Sequence, residues 1–98
     1  SIKLTYKMKQ IFKVVSQSET ITVPSQKAES GQRYKSTIVL QEIGGKYAET
    51  FVGTLLGNAA QCRFHCGEIV AAALRFSAHE YNGQMYQDVV VDDIVKLK

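Results

Sequence analysis

Asn82-Gly83 separates two long runs of apolar, β-branched and aromatic residues. The first runs from Ile69 through the alanines Ala71, Ala72 and Ala73 to Phe76 and Tyr81. The second runs from Gln84 through Tyr86 to Val89-Val90-Val91 and Ile94-Val95. An Asn-Gly pair between such runs is a strong hairpin signal, because a type I′ turn needs positive φ at both central residues. Both arms exceed the usual strand length, so the hairpin is expected to project from the body of the domain as a two-stranded arm. Tyr81 and Tyr86 flank the turn, in reach of each other across it.

The rest of the chain reads as strands too. Residues 6–15 alternate, with Tyr6, Met8, Gln10, Phe12 and Val14 on one face and Lys7, Lys9, Ile11, Lys13 and Val15 on the other. That period of two marks a strand with one buried and one solvated face. Residues 16–32 form a polar loop holding Pro24 and a short strand at Ile21-Thr22-Val23. Residues 33–42 alternate again, Gly44-Gly45 supplies a tight hairpin turn, and residues 47–56 return. Gly53 inside that strand suggests a bulge or sharp bend. Asn58 caps a short helix over residues 59–64, and Gly67 ends it or turns the chain. Five strands with one helix between strands 3 and 4 is the element order of an OB-fold, an all-β, five-stranded Greek-key barrel. A single domain is expected over residues 1–98.

Composition narrows the functional classes. Twelve Lys and Arg stand against nine Asp and Glu, a net charge of +3, mildly basic and compatible with a polyanion partner. Lys3, Lys7, Lys9 and Lys13 punctuate the first strand, and Lys27, Arg33 and Lys35 surround the long loop. No apolar stretch approaches a membrane span and no secretory apolar region is visible, so a cytoplasmic, membrane-free protein is expected. Cys62 and Cys66 then read as reduced, buried or half-buried thiols. With His65 they make three zinc-type ligands without a second pair, so no metal or cofactor is expected. No Gly-x-Ser-x-Gly, phosphate-binding P-loop or His-Glu-x-x-His occurs, and neither cysteine makes a dyad with His65 by spacing alone. The chain does not read as an enzyme.

Three stretches carry a resemblance. Leu56-Gly57-Asn58-Ala59-Ala60, Gly67-Glu68-Ile69-Val70 and Tyr81-Asn82-Gly83-Gln84-Met85-Tyr86-Gln87-Asp88-Val89 are similar to the third strand and helix opening, the fourth strand, and the 4–5 hairpin of bacterial single-stranded-DNA-binding proteins. Small primosomal replication proteins share the pattern. The similarity covers residues 34–97. It implies an OB-fold core, a homodimer or homotetramer, and sequence-tolerant binding of single-stranded DNA in replication, recombination or repair. It also implies that Tyr81, just before the 4–5 turn, stacks on a base. Leu56 stands where that family often carries a second stacking aromatic. Tryptophan is absent, and Lys96-Leu97-Lys98 does not resemble the family's acidic C-terminal tail.

Sequence-independent strand binding needs cations along the phosphates and flat rings for the bases. The candidates are Lys35 and Thr37 on the second strand, Lys46 beside the glycine turn, Tyr47 and Phe51 on the third strand, and Tyr81 and Tyr86 at the hairpin. Phe12, Phe51, Phe64 and Phe76 also read as core, a reading that competes with a binding role for Phe51. The expected partner is single-stranded DNA, with RNA not distinguished from it. The first strand is expected to pair edge to edge between copies. The alternative is an OB-fold assembly module whose strand edges and hairpin contact proteins.

Overall fold

Asn82 and Gly83 both adopt positive φ, 52° and 78°, as a type I′ turn requires. In the computed structural model, which describes residues 3–26 and 28–98, they join β5 (Ile69–Tyr81) to β6 (Gln84–Lys96). Pairing runs unbroken from Tyr81↔Gln84 to Leu74↔Val91. The arm is not two-stranded, however. β1 (Lys3–Gln17) lies along the other edge of β5, from Lys3↔His79 to Lys13↔Ile69. The first strand starts earlier than its alternation suggests, so only the tip of the hairpin extends past it.

β1 then changes partner. From Phe12↔Glu42 to Gln17↔Ile38 it pairs with β3 (Gln32–Glu42). β3 pairs antiparallel with β4 (Thr50–Leu56), and β4 meets β6 in parallel at Thr54↔Val90. The sheet therefore closes on itself in the order β1-β5-β6-β4-β3, with β1 and β3 paired. The short β2 (Ile21–Pro24) adds to β3 outside this five-strand ring. One helical turn, α1 (Asn58–Gln61), sits between β4 and β5.

Alternation fills the ring. Phe12 and Val14 of β1, Ile38 and Leu40 of β3, Leu55 of β4 and Val70 and Leu74 of β5 are fully buried. Removing such side chains from water is the main stabilising term. Phe51 sits edge-on to both Phe12 and Phe76, with centroids 5.9 and 6.0 Å away.

Four local expectations are corrected. Gly44-Gly45 does not make a two-residue turn: residues 43–49 form a loop, closed where Glu42 N–H donates to the Glu49 carbonyl at 2.9 Å. A two-residue turn would set Glu49 opposite Leu40 on the buried face, whereas the observed register sets Phe51 there and spares a carboxylate from burial. Gly53 makes no bulge, since β3–β4 pairing passes through it unbroken. The bulges fall between Val14 and Ser16 and opposite Ala73–Leu74. The helix stops at Gln61, and Asn58 lies inside it behind Gly57, with no side-chain cap bond. Phe64 leaves the helix to enter the core, and Cys62 and Cys66 on either side of it are exposed free thiols.

Candidate nucleic-acid interface

The same alternation that buries one face of each strand turns the other outward. On β3 the outward set is Arg33, Lys35 and Thr37; on β4, Thr54 and Leu56. On β6 it is Tyr86, Asp88 and Val90; on β5, Arg75, Ser77, His79 and Tyr81. Pairing carries a row straight across four strands, Thr37–Thr54–Val90–Arg75, and sets Lys35 beside Leu56. A groove of about 420 Å³ follows this face, lined by Arg33, Leu56, Arg75, Ser77, His79, Asp88 and Val90.

The groove is polarised. Arg75 Nε donates to both carboxylate oxygens of Asp92, at 3.1 and 3.2 Å. His79 Nδ1 lies 3.5 Å from Asp88 Oδ2. Arg33 and Lys35 have no ion-pair partner among the described residues. Unpaired positive charge is therefore found on the β3 side of this face, as Arg33 and Lys35, with Glu19 the carboxylate that shares a pocket with Lys35.

The hairpin supplies rings at the far end. Tyr86 stacks on His79, with centroids 5.9 Å apart and planes 25° from parallel, and its hydroxyl donates to Gln84 Oε1 at 2.8 Å. Its partner across the turn is thus His79, in place of the expected Tyr81. Tyr81 pairs with Gln84 and is 64% exposed, against 44% for Tyr86. One ring is held and the other is open for stacking.

The remaining candidates separate from these. Tyr47 lies in the 43–49 loop rather than on a strand; it is 82% exposed, with Lys46 Nζ 5.8 Å from its ring centre. That pair sits past the end of β3 opposite to Arg33 and Lys35. Phe51 is turned into the core and does not share the outer face. Lys27 lies outside the described residues.

Arg33, Arg75 and His79 line the groove, and none of the three is among the candidates that the sequence offers. The signal was present, since Arg75, Ser77, His79 and Tyr81 recur every second residue on one strand face. Among the described residues no group of His, Cys, Asp and Glu is arranged to hold a metal ion, and no helix is long and apolar enough to cross a membrane. Comparison with known protein families finds no matching family model, and comparison with curated proteins finds no match.

Proposed function

We propose that the five-strand ring is an OB-fold barrel and that the chain binds single-stranded nucleic acid without regard to sequence, in replication, recombination or repair. The fold reading is supported by the connectivity: every ring neighbour is antiparallel except β4 with β6, and the helix follows the third strand of the ring. The functional reading rests on one observation. Arg33, unpaired among the described residues, lines a groove with His79; Lys35, likewise unpaired, sits beside the groove residue Leu56, and the exposed ring of Tyr81 lies two residues past His79 on the same strand face. Cations beside an open stacking surface are what a sequence-tolerant site requires. The working form is a homodimer or homotetramer, and the two free thiols suit a reducing, cytoplasmic setting.

Titration of a fluorescent oligothymidylate at low and moderate salt tests this. Single strands should bind more tightly than duplex, with a log–log salt slope of roughly −0.7 per phosphate contacted. Equal binding of duplex and single strand, or none at low salt, would transfer the reading to a protein-assembly module.

A further inference from the structure

The outer face of β1, β5 and β6 is divided by charge. Pairing of β1 with β5 and of β5 with β6 sets residues three abreast: Lys7–Arg75–Val90, then Lys9–Ala73–Asp93, then Ile11–Ala71–Val95. Lys13 and Ile69 follow, beside Leu97, whose N–H donates to the Ile69 carbonyl at 2.8 Å. Lysines thus line the β1 side and Asp92 and Asp93 the β6 side, with two small alanines between them. Ile11, Val95 and Leu97 are each 52% exposed. Lys7, Lys9, Lys13 and Asp93 have no ion-pair partner among the described residues.

We propose that this face docks a second copy of the chain, related by a two-fold axis running along β5. The proposal rests on the self-association put forward above and names the surface that performs it. Such an axis exchanges the two sides of every row. Lys9 then faces Asp93 of the second copy, Ile11 faces its Val95, and Ala71 faces its Ala71. An axis running across the strands would set lysine against lysine, so charge selects the first arrangement. Ala71 and Ala73 leave room for the sheets to approach to the usual ~10 Å separation. The self-complementary pattern is what an isologous interface demands. The patch is narrow, three strands at ~4.8 Å spacing, and small beside the ~800 Å² per partner of a standard interface. The dimer is accordingly a weak one, dissociating in the micromolar range. Its boundary is the row of Arg75 and Val90, where the groove begins.

Charge exchange tests the pairing. Sedimentation velocity across the micromolar range should give a reversible dimer for the wild type. Lys9→Asp and Asp93→Lys, each creating two like-charge contacts, should separately weaken it by roughly tenfold. The double variant, which restores both contacts with signs reversed, should recover most of the loss. Melting curves for all three confirm that these exposed positions leave the fold intact. A wild-type dimer indifferent to the single changes, or a double variant no stronger than the singles, would overturn this face and leave self-association standing. A wild type monomeric throughout would remove self-association itself, and this face with it.

Discussion

A Cβ built on Gly53 would lie 3.0 Å from Cγ2 of Val91. The two residues meet where β4 and β6 close the ring, and Val91 is buried there. Glycine in a strand ordinarily gains from replacement by alanine, because the unfolded chain loses freedom. Here the contact opposes that gain. Gly53→Ala should cost about 1 kcal/mol and Gly53→Val several times as much, by overpacking. Combining Gly53→Ala with Val91→Ala should give a double variant more stable than the sum of the single losses, by at least ~0.5 kcal/mol. Additive urea midpoints would show that the contact does not constrain the seam.

Gln17 ties the segment that follows α1 to the ring. Its carboxamide donates to Ser36 Oγ at 3.0 Å and to the Cys62 carbonyl at 2.9 Å, and accepts from the Phe64 N–H at 2.8 Å. Gln17→Leu keeps the bulk and removes all three bonds. The Phe64 N–H then loses its partner, and a loss of roughly 1–3 kcal/mol in chemical denaturation is expected. Amide exchange should rise at Phe64 before it rises in β5. An unchanged midpoint would mean that water replaces the carboxamide without penalty.

Tyr81 and Phe76 should divide binding from folding. Tyr81→Ala removes an exposed ring, so oligonucleotide affinity should fall by roughly 1–3 kcal/mol with little change in melting. Phe76→Ala opens the aromatic cluster with Tyr6 and Phe51. For a half-buried ring the cost should be about 2–3 kcal/mol, below that of a fully enclosed one. If Tyr81→Ala melts early and binds normally per folded molecule, Tyr81 is structural and the stacking assignment is wrong.

Arg33 and Lys35 should set the salt dependence. Replacing both with alanine is expected to flatten the log–log salt slope by about 1.4, twice the ~0.7 per phosphate of a single strand. The same double change made at Lys46 and Lys98, away from the groove, is the control. Equal flattening by both pairs would point to diffuse attraction in place of a site.

Glu68 should report on acid. Its carboxylate accepts from the His65 N–H, which holds its pKa below the ordinary 4.5; burial opposes this, while Lys96 and the His65 ring add to it. A depressed carboxyl contributes stability that is present above its unfolded pKa and lost as pH falls through the folded value. The melting gap between wild type and Glu68→Gln should therefore be open at neutral pH and close on acidification through that range. A gap that stayed the same at both ends would detach Glu68 from the loop's stability.

How far the sequence was legible follows the range of each determinant. Asn82-Gly83 specifies its turn with two residues, and the parity of Phe12, Val14, Ile38 and Leu40 specifies their burial, so both were readable locally. The length of the Gly44-Gly45 loop is set instead by Phe51 meeting Leu40 across the sheet, which local turn chemistry does not specify. The helix ends short of its local signal because Phe64 answers to Gln17, 47 positions away. The outer face draws on four strands, so only the hairpin tyrosines and Lys35 and Thr37 of β3 are nameable before the pairing is known. For Phe51 the inward parity of its strand position outweighs its aromatic type, and it packs against the core.

The partner change within β1 has a consequence for synthesis. Leu4 pairs with Ala78 and Thr5 with Ser77, so the strand made first waits for partners made more than 70 residues later. The hairpins β3–β4 and β5–β6 can form as soon as they are translated, and residues 12–17 of β1 can pair with β3, but the first part of β1, up to Ile11, must remain open on the nascent chain until β5 is made. Pairing of such sequence separation slows folding and exposes an unpaired strand to neighbouring chains. Lys7, Lys9 and Lys13, spaced along that strand, place charge where premature edge-to-edge pairing would otherwise begin.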